Sequence, residues 1–298
     1  MLNWGESTAG RRIPVGLAWG LAAVAIWSGS FVLLRLGVTT TLNAFDITAL
    51  RFACGAVLLL PVILRRGFAR KRLGLLGLLV LIAGTGAPYA LLISLGLSLA
   101  PAGNAAALVP GLMPVFSAAL GVVLLREDLP PARRWGAGLV LAGTLLIGGF
   151  ARTASLAYLA FAAAALLWAG YVIVLRRSNL SALHATAIVA VGSAMLYLPI
   201  YGLLLPKAIG TAPKADLMVQ ALYQGGLTTV AGLAAFSRAV TLLGTAGAAL
   251  PALVPVVTLA FATTLGEIPS AFQVSAALII GGGVALITSA KTTIRSAS

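Results

Sequence analysis

Residues 99–147 read LAPAGNAAALVPGLMPVFSAALGVVLLREDLPPARRWGAGLVLAGTLLI, two apolar runs joined by a short polar turn. No charged side chain occurs between Leu99 and Leu125. A membrane-spanning helix needs about 20 mostly apolar residues, so the two runs predict spans at 103–125 and 132–150. Helix is the predicted conformation because a lipid-exposed backbone must satisfy its own hydrogen bonds, and the alternating pattern of barrel strands is missing.

The rest of the chain has the same character. Of its 298 residues, 60% are hydrophobic and 9% are charged, whereas soluble domains are about 45–50% apolar and 25% charged. The sequence therefore predicts an all-α membrane protein of ten transmembrane helices, with no loop long enough to form a separate domain. The ten predicted spans are 14–36, 43–64, 73–99, 103–125, 132–150, 154–175, 182–205, 217–243, 247–265 and 270–289.

The basic residues predict the orientation of the chain. The net charge of +14 is divided among short clusters between the apolar runs, which favours membrane topology over a nucleic-acid partner. With the N-terminus in the cytoplasm, roughly fifteen of the basic residues fall on the cytoplasmic side and three in outer loops. Both termini are therefore predicted to be cytoplasmic. Arg11 and Arg12 precede a run that is too long for a signal peptide.

The second half of the chain repeats the first at an offset of about 141 residues. Because a unit of five spans is odd, the second copy must cross the membrane in the opposite sense. Residues 1–150 and 151–298 are thus predicted to be two inverted five-helix repeats, an arrangement typical of secondary transporters. The aligned pairs are Trp27 and Trp168, Gly29 and Gly170, Arg35 and Arg176, Gly103 and Gly244, Pro110 and Pro251, Pro114 and Pro255, and, one residue earlier, Glu127 and Glu267.

Prolines in the middle of spans four and nine are candidate kinks. An interior proline removes a backbone donor and frees a carbonyl, and broken helices often line transport sites. A purely structural bend is the alternative, since proline is ordinary in membrane helices. The candidates are Pro110, Pro114, Pro251 and Pro255.

Spans three and eight combine small residues with hydrogen-bonding side chains. We interpret these segments either as hinges and cavity walls or as sites of close helix packing. The candidate hinges are Gly84, Gly86, Pro88, Gly225 and Gly226, and the candidate substrate-binding residues beside them are Tyr89, Tyr223 and Gln224.

Trp27 and Trp168 lie about halfway through their spans, although membrane tryptophans usually prefer the interfaces. Each indole either packs between helices or faces a cavity and contacts substrate, with Ser30 and Tyr171 as polar neighbours. Arg51 lies in the outer part of span two, where a long side chain can extend to the interface. It is a possible gate that meets a substrate carboxylate at the outer mouth, or else it pairs with a helix end or a nearby carboxylate.

No acidic residue falls near a span centre, which favours facilitated diffusion or weak coupling over a proton or sodium relay. No lysine or arginine is expected near mid-depth either, so the predicted cavity is uncharged and suits a neutral or zwitterionic solute. The scattered His184, Cys54 and hydroxyls do not form an enzyme's constellation. No cofactor or metal is predicted, the partners are a small molecule and the lipid bilayer, and the oligomeric state is left open.

Residues 45–66, FDITALRFACGAVLLLPVILRR, and residues 99–147 resemble the EamA module of the drug/metabolite transporter superfamily. In that module an arginine occurs early in span two, and a proline-bearing span four ends before a glutamate; here these are Arg51, Pro114 and Glu127. Residues 249–287 match the second module, with Pro255 and Glu267 in the corresponding places.

Within the family the chain is most similar to YddG-type exporters, by its length and uncharged aromatic interior. This resemblance implies a bacterial inner-membrane protein that exports aromatic and other neutral amino acids, or related metabolites, by alternating access. A nucleotide-sugar or sugar-phosphate carrier of the same superfamily is the alternative, and an intramembrane enzyme is a third.

Overall fold

The computed structural model describes residues 6–148, 155–243 and 250–289. The elements in these ranges are all helical. They are α1 (Glu6–Thr39), α2 (Ala44–Arg66), α3 (Arg70–Thr85), α4 (Ala87–Leu99), α5 (Ala102–Leu125), α6 (Pro131–Gly148), α7 (Ser155–Ser178), α8 (Ala182–Leu204), α9 (Lys214–Gln220), a π-helical segment (Ala221–Ala231), α10 (Gly232–Leu243), a 3-10 turn (Leu250–Leu253), α11 (Val254–Ala262), a second 3-10 turn (Thr263–Leu265) and α12 (Ala271–Ser289).

The predicted all-helical fold is confirmed. Within the described residues, seven stretches are long and apolar enough to cross a membrane. Predicted spans nine and ten correspond to the shorter apolar helices Leu250–Leu265 and Ala271–Ile287, and predicted span five corresponds to α6. Phe150, Gly244 and Gly247, which belong to the predicted spans or repeat, lie outside the described residues.

The halves of the chain pack against each other along most of their length. Helix α1 packs on α10, α2 on α8, α3 and α4 on α7, and α6 on α12. Small residues permit this close approach. A Cβ at Gly143 would lie 2.6 Å from Ile280 Cγ1, and one at Gly136 would lie 2.6 Å from the Gly283 carbonyl oxygen. The core therefore lies between the two halves.

Predicted span three is divided in two at Gly86, whose φ of −91° and ψ of −148° interrupt the helix between α3 and α4. The break exposes backbone amides that need a partner. One of them, Ala87 N–H, donates to Ser193 Oγ at 3.1 Å. Pro88 follows in the first turn of α4, where its missing N–H costs no helical hydrogen bond.

Two ion pairs connect the halves. Arg35 Nε donates to Glu267 Oε1 at 3.0 Å, and Glu267 Oε2 also accepts from Ala102 N–H at 3.0 Å. Arg176 donates through both terminal nitrogens to the carboxylate of Glu127. The sequence comparison aligned these two arginines with each other, and likewise the two glutamates. Each arginine thus pairs with the glutamate from the opposite half.

The two pairs lie at opposite ends of the bundle. Arg66, at the C-terminal end of α2, donates to Ser181 Oγ at 3.4 Å and so lies beside the junction of α7 and α8, close to Arg176. At the other end, Asn43 Nδ2 donates to the Pro206 carbonyl at 3.2 Å. Asp46 is fully buried near Asn43 and accepts from Tyr201 Oη at 2.6 Å.

Candidate functional site

A cavity of about 400 Å³ lies between the two halves. Most of its wall is apolar or aromatic, with a small number of polar groups. Every described element contributes to it except α6, α9 and the second 3-10 turn. The lining residues are Trp27, Ser30, Phe31, Leu34, Arg51, Phe52, Thr85, Tyr89, Ile93, Pro110, Met113, Pro114, Ser117, Trp168, Tyr171, Thr186, Val189, Thr228, Thr229, Leu233, Phe236, Pro251, Val254 and Val284.

The spacing of the lining residues follows helical periodicity. On α1 the cavity-facing positions are Trp27 and the residues three, four and seven places later, which share one face of a helix. On α5 the same pattern starts at Pro110 and ends at Ser117. On α3 and α4, Thr85 and Tyr89 are four residues apart across the Gly86 break.

Arg51 lies in the cavity wall. It is the eighth residue of α2, about 10 Å along the helix from Ala44. Its Nε is buried and has no hydrogen-bond partner in the described part of the chain. The centre of its guanidinium lies 5.7 Å from the ring centroid of Phe52. The prediction of an uncharged cavity is therefore wrong: Arg51 supplies one positive charge to the lining.

Aromatic rings form two walls of the cavity. The Trp168 ring centroid is 5.8 Å from that of Tyr89 and 5.6 Å from that of Tyr171, both in tilted geometry. Across the cavity, the Trp27 ring centroid lies 5.4 Å from that of Phe236. Such walls favour an aromatic or apolar solute, and their faces attract cations.

Two predicted substrate-binding residues lie outside the lining. Gln224 is fully buried; its Oε1 accepts from Ser30 Oγ at 2.7 Å, and its Nε2 donates to the Ser30 carbonyl at 3.2 Å. Tyr223 Oη donates to the Ile26 carbonyl at 3.1 Å. Both side chains therefore connect the π-helical segment to α1 by hydrogen bonds. Ser30 takes part in this contact and also lines the cavity.

The candidate hinge residues of spans three and eight lie outside the cavity lining. A Cβ at Gly84 would lie 2.8 Å from the Leu167 carbonyl oxygen, and one at Gly225 would lie 2.7 Å from the Arg51 carbonyl oxygen, so both glycines permit close helix contact. Gly226 has only ordinary contact with Leu58. Gly225 and Gly226 lie within the π-helical segment, and π-helical geometry is frequent at functional sites.

The four prolines behave differently in the two halves. Pro110 and Pro114 lie inside the continuous helix α5 and both line the cavity. Pro251 lies in the 3-10 turn that precedes α11 and also lines the cavity, whereas Pro255 is buried in the first turn of α11 and does not. Span nine is thus interrupted where span four is not.

Several polar lining residues were missed by the sequence analysis: Thr85, Ser117, Thr186, Thr228 and Thr229. The signal for Ser117 was its position seven residues after Pro110, on the same helical face. Thr228 Oγ1 is buried and has no partner among the described groups, so it is available to a bound molecule. Thr229 Oγ1 instead donates to the Gln224 carbonyl at 2.7 Å.

In the described part of the chain, no group of three His, Cys, Asp or Glu side chains is placed to hold a metal ion. The groups that converge on the cavity are one guanidinium, hydroxyls and aromatic faces. This set can bind an anionic group and an apolar body through non-covalent contacts.

Comparison with known proteins connects the chain to a transporter family. The model of the EamA-like transporter family matches residues 14–149. A protein of known crystal structure is 27% identical, covers 91% of this chain and 95% of its own length, and superposes with a TM-score of 0.61. No curated protein matches the chain at a significant level. The matched range contains residues 45–66 and 99–147, the stretches that resemble the EamA module, so the first half of the chain is similar to the EamA-like transporter family.

Proposed function

We propose that the chain is an alternating-access transporter that exports amino acids, aromatic and other neutral ones, or related small metabolites that carry a carboxylate. The observation that carries this proposal is Arg51, the one cation among the described lining residues, in a cavity whose other walls are mostly apolar and aromatic with a few hydroxyl groups. A guanidinium binds a carboxylate through charge-assisted hydrogen bonds, and the tilted rings around Trp168 suit an apolar side chain. The substrate ammonium group would face aromatic rings and hydroxyl oxygens.

The size of the cavity favours a small solute. Ligand pockets span about 300–1,000 Å³, and this one holds about 400 Å³. A nucleotide sugar is larger and carries two phosphate charges, for which one arginine is a poor match. Of the neutral or zwitterionic molecules expected from the sequence, the positive charge of Arg51 therefore favours those with one carboxylate.

The ion pairs support an inverted repeat of two five-helix units in ten spans. The pair Arg35–Glu267 and the pair Arg176–Glu127 are exchanged by the sequence offset and lie at opposite ends of the bundle. A pseudo-two-fold axis in the membrane plane produces this relation. When one end of the bundle opens and the other closes, the ion pair at the opening end breaks and the ion pair at the closed end remains.

The distribution of charge supports cytoplasmic termini in a bacterial inner membrane. Arg66, Arg70, Lys71 and Arg72 gather beside the end of α7, and Arg176 lies at the same end. An excess of lysine and arginine marks the cytoplasmic side. Helix α1 ends near Asn43, at the opposite end of the bundle. Because α1 crosses the bundle once, its N-terminus lies at the same end as this basic cluster.

The test is transport by the purified protein in proteoliposomes. We expect saturable uptake of radiolabelled L-phenylalanine that unlabelled phenylalanine or threonine reduces and a uridine diphosphate sugar does not. Uptake without an imposed ion gradient would support facilitated diffusion. Competition by the nucleotide sugar alone, with none by amino acids, would refute the proposed substrate class.

A further inference from the structure

A second concave site lies at the end of the bundle where α2 leads into α3 and α7 leads into α8. It encloses about 610 Å³. Four of its lining side chains carry a full positive charge, and none of the lining residues is acidic. The lining residues are Arg66, Ala69, Arg70, Lys71, Arg72, Asn179, Leu180, Ser181 and His184.

Within the described ranges, no acidic side chain neutralises the positive charge of this basic pocket. Arg66 donates to Ser181 Oγ at 3.4 Å, which is a neutral partner. Among the residues that the structure describes, no carboxylate forms an ion pair with Arg70, Lys71 or Arg72. Like charges this close repel one another, and a bound anion would relieve the repulsion.

The backbone fixes the shape of the pocket. Helix α3 starts after Ala69, which has a left-handed φ of 51°, and its first turn ends at Gly74, whose φ of 65° and ψ of 178° are not helical. His184 Nε2 lies 2.8 Å from the Gly67 carbonyl oxygen, a hydrogen bond that holds the α2–α3 turn against α8.

Exposed leucines flank the pocket residues in the sequence. Leu64 precedes Arg66 by two residues and is 76% exposed, and Leu76 follows Arg72 by four residues, beyond the break at Gly74, and is 77% exposed. On a membrane protein such surfaces contact acyl chains. A ligand with an anionic head and apolar tails would match both parts of this surface, whereas a soluble anion would use the pocket alone.

We propose that the basic pocket binds the phosphate headgroup of an anionic glycerophospholipid, such as phosphatidylglycerol, with its acyl chains on the neighbouring leucines. Basic pockets between membrane helices bind anionic headgroups by this combination of charge and shape. The site is separate from the substrate cavity and shares no lining residue with it.

The test measures lipid binding to the full-length protein in a non-ionic detergent at low salt, by native mass spectrometry with added phosphatidylglycerol or phosphatidylcholine. The variant Arg70→Gln/Arg72→Gln removes two pocket charges. The matched control, Lys214→Gln/Arg238→Gln, removes two exposed charges elsewhere. We expect the pocket variant to bind phosphatidylglycerol about thirtyfold more weakly, equivalent to about 2 kcal/mol, and the control to match the wild type.

Soluble anions distinguish a lipid from free phosphate. Inorganic phosphate and glycerol 3-phosphate should not compete with phosphatidylglycerol at equal concentration, because they lack acyl chains. The proposal is overturned if they compete equally, if phosphatidylcholine binds as tightly as phosphatidylglycerol, or if the pocket variant and the control lose affinity alike. The single variant Arg70→Gln should lose about half of the effect on a logarithmic scale and provides the comparison if the double variant does not fold.

Discussion

Replacing Arg51 with methionine should raise the stability of the empty protein and weaken substrate binding. The Nε of Arg51 is buried without a partner, and a buried unsatisfied polar group costs about 1–3 kcal/mol, more when it is charged. Methionine fills similar space without that cost. Since 1 kcal/mol moves the unfolding temperature by about 2–4 °C in a large domain, we expect a rise of several degrees.

The same substitution removes the proposed carboxylate ligand. A hydrogen bond to a charged group contributes about 1.5–3 kcal/mol, so the Kd for L-phenylalanine should rise about ten- to hundredfold. Thermal unfolding of the empty protein and binding of radiolabelled phenylalanine measure the two effects. Arg51→Lys keeps the positive charge but lacks the planar guanidinium group. We expect its unfolding temperature and its Kd to lie between those of the wild type and of Arg51→Met.

The control is Arg238→Met, which removes an exposed cation of α10 and should leave both quantities unchanged. The reasoning is refuted if Arg51→Met lowers the unfolding temperature together with affinity, since Arg51 would then stabilise the fold itself. It is equally refuted if affinity does not change.

Four further substitutions test other parts of the structure. Glu267→Gln should destabilise the protein by about 1–3 kcal/mol by weakening a charged contact, and the exchange Arg35→Glu/Glu267→Arg should recover part of the loss in a double-mutant cycle; complete independence of the two positions would contradict the pairing. The fully buried carboxylate of Asp46 accepts three hydrogen bonds, and an amide in its place has only one acceptor oxygen. Asp46→Asn should therefore lower the unfolding temperature, and an unchanged value would show that these bonds are dispensable. Trp168→Ala should reduce phenylalanine flux in proteoliposomes with normal membrane insertion, and unchanged flux would remove it from the substrate site. Gly84→Leu should prevent stable folding, because its side chain would collide with α7; normal yield would show that the helices separate easily.

Sequence reasoning identified the helical membrane fold because long uncharged runs have one stable solution in a bilayer. It did not predict the interruption of span nine by a 3-10 turn at Pro251. In span four, Pro110 and Pro114 occur in an uninterrupted helix, so the presence of proline alone does not decide whether the helix breaks. The same residue type at equivalent positions thus gave two local structures.

For the cavity, the sequence indicated Trp27, Trp168 and Tyr89, and all three line it. It placed Arg51 at the outer mouth, since distance from a span end was the only depth signal available, and a long side chain can extend outward or inward. Gln224 looked like a substrate ligand from its type, but its partner, Ser30, is 194 residues away. Only the folded chain reveals such a partner.

Alternating access to the cavity can be measured directly with one cysteine. Cys54 is the only cysteine of the chain; in a Cys54→Ser background, Ser117→Cys places a single thiol in the cavity wall. A membrane-impermeant maleimide should label this thiol in both right-side-out and inside-out vesicles, and added phenylalanine should slow both reactions. Labelling from only one side, with no effect of substrate, would contradict the account.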